Sequence, residues 1–84
     1  MTELTSLKNI GKEYDRKLKA IGITTAEELK QIGCEEAFIR LKNHFPNVCL
    51  VHLQALEGAI TGVDYNKLSE DVKQRLKAFN EGIS

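Results

Sequence analysis

The pattern Leu-Lys-x-Ile-Gly occurs three times in the first 33 residues: LKNIG at 7–11, LKAIG at 18–22 and LKQIG at 29–33, at a step of eleven. An eleven-residue step can wind long helices into a right-handed supercoil. Each copy ends in glycine, however, and Gly11, Gly22 and Gly33 would each cost about 1 kcal/mol inside a helix relative to alanine. A glycine just past a helix end instead takes the left-handed conformation, while the preceding Leu and Ile pack across the last turn. The repeat therefore predicts a zigzag of short helices, with stops near Gly22 and Gly33.

The copies differ in the residues after each glycine. After Gly22 comes ITTAEELK, where Thr24 and Thr25 each precede a glutamate by three residues and either can close a capping box. After Gly33, Glu35 and Glu36 fall in a first turn, where the helix dipole favours carboxylates. After Gly11 the chain enters KEYDRKLKAI with no capping side chain, so Asn9-Ile10-Gly11 must make the turn itself. Asn and Gly are the residues that best tolerate a positive φ.

Such a turn opening directly onto a helix leaves backbone amides pointing outward, which makes it a candidate anion site. Five basic residues, Lys8, Lys12, Arg16, Lys17 and Lys19, stand there against Glu13 and Asp15, a local balance of +3. Lys12, Arg16 and Lys19 share one helical face, and Tyr14, Leu18 and Ile21 form the apolar one. The candidate phosphate-binding residues are Lys8, Asn9, Ile10, Gly11, Lys12, Arg16 and Lys17. The second and third copies precede carboxylates that would repel a phosphate, and they are read as structural.

In the second half, Phe38, Leu41 and Phe45 line one face of a helix that Pro46 ends. NVCLVHLQALEGAITG is apolar on most sides and predicts a central helix surrounded by others. Gly58 within it predicts close approach of another helix, and Gly62 closes it. A last helix begins at the cap Ser69 and buries Leu68, Val72, Leu76 and Phe79. The fold class is all-α, about five short helices and no strand. The 84 residues suffice for one domain, 1–84. Such a chain buries only about 60–65% of its unfolded surface, a thin core.

The segment LKNIGKEYDRKLKAIGITTAEELKQIG resembles a helix-hairpin-helix element. Asn9 and Gly11 stand in the two glycine positions of its hairpin, and Leu18, Gly22, Ile23, Thr25, Glu28 and Leu29 match the remainder. The resemblance implies a hairpin region, 4–33, packed on the central apolar helix of a second half, 34–84. It also implies that the hairpin amides bind one nucleic-acid backbone phosphate without reading sequence. The helix before the hairpin has only MTELTS to form from, one turn at most. LQALEGAITGVDYNKLSEDVKQRLKAF looks like the C-terminal domain of TfoX/Sxy-type competence regulators, in which ALxGAxxG follows the hairpin region. This similarity runs from about Leu4 to Phe79. Regulators of that family commonly carry a separate N-terminal α/β domain, which these residues do not include.

The formal net charge is zero, so nucleic-acid binding would rest on a local patch. The N-terminus has charges where a secretory signal needs an apolar run, and the apolar stretch VCLVHLQALEGAI is broken by His52, Gln54 and Glu57. A cytoplasmic location, reduced thiols and no membrane partner are expected. Cys34, His44, Cys49 and His52 are metal-ligand types, but their spacing C-x9-H-x4-C-x2-H fits no standard zinc finger. No metal or cofactor is expected, no catalytic residues are assigned, and Glu57 is read as solvated or as capping a neighbouring helix. The leading functional reading is non-enzymatic: weak, sequence-independent binding to a DNA backbone, or an accessory role in competence or transcription regulation. The rival is a protein-interaction module without nucleic-acid binding, pairing with a partner regulator or with itself as a homodimer.

Overall fold

The structure, a computed structural model, describes residues 2–83; the two ends of the expected 1–84 domain lie outside them. Five α-helices run in order: α1 (Lys12–Ala20), α2 (Ala26–Ile32), α3 (Cys34–His44), α4 (Leu50–Thr61) and α5 (Glu70–Ile83). Single 3-10 turns at Leu4–Ser6 and Tyr65–Lys67 precede α1 and α5. Among the described residues there is no strand, only an isolated bridge between Glu3 and Thr25. The all-α expectation holds.

The helix boundaries match the predicted punctuation. At the end of α1 the Gly22 amide donates to Lys19 O and the Ile23 amide to Leu18 O, with Gly22 at φ 91°. This is the paired closure that glycine permits, and the buried Leu18 and Ile23 side chains seal it. Thr25 closes the capping box: its hydroxyl accepts from the Glu28 amide at 3.1 Å, and the Glu28 carboxylate accepts from the Thr25 amide. Thr24 donates to the same carboxylate through both amide and hydroxyl. Gly33 alone separates α2 from α3 and caps both. Ser69 Oγ accepts from the Val72 amide and starts α5.

Gly11 departs from expectation. It is extended, φ −93° and ψ −170°, and the positive φ of the first turn falls on Asn9, at 69°. The copies at Gly22 and Gly33 come after α-helices, whereas the first comes only after the 3-10 turn at Leu4–Ser6. There is no helix end for Gly11 to terminate, and it serves instead as the N-cap of α1.

α4 is the central helix, packed against both α3 and α5. Leu53, Ala55, Leu56, Gly58 and Ala59 are buried along it. One cluster joins its large side chains to Leu18 of α1, Leu29 of α2, Phe38 and Leu41 of α3, and Leu76 of α5. Each large side chain sealed there contributes about 1.5–3 kcal/mol of transfer free energy. The close approach at Gly58 does not come from the neighbouring helix that the sequence suggested. A Cβ there would collide with the Val63 carbonyl oxygen and with Asn9 Nδ2. The groups that approach are the chain leaving α4 and the side chain of the first turn.

Candidate nucleic-acid interface

The first turn is built around Asn9. Its Nδ2 donates to Ala55 O (3.3 Å) and Val63 O (3.0 Å), and its Oδ1 accepts from the Tyr65 amide (3.1 Å). The side chain thus meets one carbonyl oxygen in the middle of α4, another just past its end, and the first amide of the next 3-10 turn. Residue 9 tolerates its positive φ because Asn is one of the few side chains that do so at low cost. Ile10 is buried beneath the turn, and its amide donates to Leu7 O at 3.4 Å. No side chain caps α1, so the first-turn amides of Lys12, Glu13 and Tyr14 have no side-chain partner.

The seven candidate residues therefore separate. Lys8, Gly11 and Lys12 are exposed. Asn9 is half-buried and its amide group is spent on the second half of the chain, and Ile10 belongs to the core. Arg16 is 62% exposed and pairs with Glu13, whose carboxyl it holds below the usual range by hydrogen bond and charge. Exposed pairs of this kind are worth about 0–1 kcal/mol, so Arg16 can exchange Glu13 for a phosphate. Lys19 pairs with Asp15 at 3.1 Å. Lys17 is only 17% exposed, and its ammonium lies 3.2 Å from His52 Nε2 and 5.8 Å from the Phe45 ring centroid. Among the described residues, Lys8 and Lys12 make no ion pair.

Behind Lys17 sits a cluster the sequence did not announce. The His52 and Tyr14 rings stand nearly perpendicular, 5.0 Å between centroids, and His52 Nδ1 accepts from the Cys49 amide at 3.3 Å. Both ring nitrogens thus face donors, the Cys49 amide and the Lys17 ammonium. Burial lowers the His52 pKa, and the Lys17 charge lowers it further. Burial also raises the Tyr14 pKa, with smaller contributions from the nearby Cys49 and Tyr65 groups. Cys49 itself is exposed, with Sγ 3.7 Å from His52 Nδ1.

The remaining metal-ligand types stand elsewhere. The Cys34 thiol is buried and donates to Glu57 Oε1 at 3.1 Å, and His44 packs edge-on against Phe45. Among the described residues, no three His, Cys, Asp or Glu side chains are grouped to hold a metal ion. Glu57 is neither solvated nor a cap, contrary to the expectation from sequence: it is 13% exposed and bound by Arg75 of α5 at 3.0 Å. Burial first, then the hydrogen bond to Glu57, pushes the Cys34 pKa up to about 12. A pocket of about 370 Å³ opens beside this trio, lined also by Glu35, Glu36, Ile39 and Phe79. The sequence signals for the Asn9 contacts were a glycine inside a helix at 58 and an Asn where a hairpin glycine is usual; nothing in the sequence pointed to Arg75 as the partner of Glu57.

The sequence profile of the TfoX C-terminal domain matches residues 1–80. The chain belongs to the TfoX C-terminal domain family. The DNA transformation protein TfoX of Haemophilus influenzae is 32% identical over 82 residues, which cover 96% of this chain and 38% of that protein. The chain thus spans well under half the length of this relative. Two crystal structures of Listeria monocytogenes proteins, one described as uncharacterized and one as of unknown function, superpose with TM-scores of 0.94 at 40% identity. Both cover 98% of this chain, which in turn covers 93% and 100% of theirs. For a TfoX C-terminal domain, the Asn9 contacts give the hairpin segment a partner inside the domain, in and just beyond the ALxGAxxG stretch. Among the described residues no helix is long and apolar enough to cross a membrane.

Proposed function

We propose that this TfoX C-terminal domain is a non-catalytic accessory module of competence or transcription regulation that contacts nucleic-acid backbone weakly and without reading sequence. The observation that carries this reading is the placement of Lys8 and Lys12, exposed and free of ion pairs among the described residues, on either side of a helix start that no side chain caps. Amides and cations together favour an anion there. Arg16, one turn along, adds a third cation that a phosphate can draw away from Glu13. The family relation to a DNA transformation protein supports a role in the same process.

Few phosphate contacts imply a Kd of roughly 10⁻⁴ M or weaker near physiological salt. The test is a DNA titration at several salt concentrations with the wild type and the Lys12→Glu/Arg16→Glu variant. The double reversal should abolish binding, and at salt low enough to retain a residue of it the slope should fall by about 1.8, two phosphates' worth. Lys30→Glu, in the third copy of the repeat, should bind like the wild type. Binding that survives the double reversal would sink the proposal.

A second reading, a protein-interaction or dimerisation module, is favoured by a different observation. Val51 is 46% exposed on the otherwise largely buried α4. Measured solution mass decides it: a dimer that Val51→Lys dissociates, in a protein without DNA binding, would replace the nucleic-acid reading.

A further inference from the structure

Tyr65 is a large aromatic left 41% exposed. Its backbone is anchored at two points. Its amide is tied to Asn9 Oδ1 at 3.1 Å, and its 3-10 turn is capped by Asp64, which accepts from the Asn66 amide at 3.3 Å. The same Asn9 forms the turn before α1, so the ring's backbone anchor and the candidate phosphate site are fixed to one side chain. The Tyr65 phenol is also near enough to α1 to raise the pKa of Tyr14 in its first turn. Three exposed lysines belong to the two turns that Asn9 joins: Lys8 beside Asn9, Lys12 at the start of α1 and Lys67 in the Tyr65 turn itself. None of the three makes an ion pair among the described residues.

An exposed ring on an anchored backbone, with unpaired cations in the same two turns, suits a strand whose bases are free. Single-stranded nucleic acid offers each base face for stacking while its phosphates meet the cations. A duplex keeps its bases stacked on one another and can use only the lysines. We infer that the domain prefers single-stranded over duplex nucleic acid, with one base stacked on Tyr65 and flanking phosphates neutralised by Lys8, Lys12 and Lys67. This inference rests on the backbone-binding reading and adds the class of strand to it.

The probes are a labelled oligothymidylate and a duplex of equal phosphate number, titrated by anisotropy at low salt. The single strand should bind more tightly. Tyr65→Ala should weaken single-strand binding about tenfold, the effect of losing one stacked base, and leave duplex binding unchanged. Tyr65→Phe keeps the ring and should bind like the wild type. Tyr14→Phe leaves Tyr65 the sole tyrosine of a chain without tryptophan, so its emission should be quenched by the oligothymidylate. That readout needs no change at Tyr65 and decides the matter if Tyr65→Ala proves misfolded. Unquenched emission, or single-strand binding indifferent to Tyr65→Ala, overturns the stacking inference. If Lys12→Glu/Arg16→Glu still abolishes binding in that case, the backbone reading stands alone; if neither DNA binds at low salt, both fall.

Discussion

Asn9 Nδ2 occupies the space that a Cβ on Gly58 would take. The two residues are 49 positions apart in the chain, and each is explained by the other: Gly58 is small because Asn9 arrives, and Asn9 is not glycine because its amide group has partners there.

Substitution of Asn9 should rank by chemistry. Asn9→Ala loses three hydrogen bonds and keeps the positive φ, at a cost of about 2–4 kcal/mol. Asn9→Gly loses the same bonds without the φ penalty and should be about 1 kcal/mol less damaging. Asn9→Asp retains an acceptor for the Tyr65 amide but points a carboxylate oxygen at two carbonyls, and should be at least as damaging as Asn9→Ala. Urea denaturation of the three variants reads the order.

Gly58→Ala should destabilise by about 1–3 kcal/mol, although alanine is the better helix former. Combining it with Asn9→Ala should be less than additive, because one of the two collisions is then gone. The Val63 carbonyl collision remains, so rescue is partial. A fully additive double variant would show that the two residues do not share the space.

The glycines of the repeat should part company under mutation. Gly22→Ala places a side chain at φ 91° and should cost about 1–2 kcal/mol. Gly11 is extended with open space around it, so Gly11→Ala meets no clash and gives up only glycine's advantage over alanine as an N-cap, a cost of about 0.5–1 kcal/mol. Gly11→Ser supplies the missing cap and should stabilise by a few tenths to about 1 kcal/mol. Thermal melts compare all three.

The two thiols should label in separate steps. Cys49 is exposed and should react with an alkylating reagent in the native protein. Cys34 is buried, and its raised pKa keeps it protonated at neutral pH, so it should react only on unfolding. Mass spectrometry with and without urea counts them. Equal rates at both cysteines in the folded protein would contradict the burial of Cys34.

Acidification should destabilise the fold in part through His52. Its folded pKa is lowered, so the unfolded chain takes up its proton first as pH falls through the ordinary value of 6.5. Where the unfolded state binds more protons, stability rises with pH; the His52 contribution is therefore present above 6.5 and lost as pH falls towards the lowered value. His52→Gln should flatten the stability profile over that interval, read by urea denaturation at a series of pH values. At lower pH a second loss should come, because Glu27, held down to about 2 by hydrogen bonds from Thr2, must then be protonated.

The features legible in the sequence and those hidden from it divide by distance along the chain. Helix stops at Gly22 and Gly33, the Thr25–Glu28 box and the Ser69 cap are local, resting on residues a few positions apart. The stripe Phe38, Leu41, Phe45 is readable from periodicity alone. The Cys34–Glu57–Arg75 trio, the Lys17–His52 contact and the Asn9 clasp each join different elements, and no spacing rule reaches that far. Gly11 differs from expectation because the repeat makes three glycines look equivalent, while only two of them come after an α-helix. Of the candidate residues, Lys8, Gly11 and Lys12 are exposed, while the second roles of Asn9, Ile10 and Lys17 depend on tertiary contacts.

The Asn9 clasp also sets an order of assembly. Its three bonds reach across 46, 54 and 56 residues, so none can form until α4 and the turn beyond it are in place. Closing loops of that length costs entropy before any bond is returned. The first turn should therefore acquire its shape late in folding, after α4 and the turn beyond it. A peptide of residues 4–33 would hold the repeat but not the conformation at Asn9. The first turn is not a portable motif: grafted onto another scaffold without α4 and the turn beyond it, it would lose the contacts that hold Asn9 at positive φ.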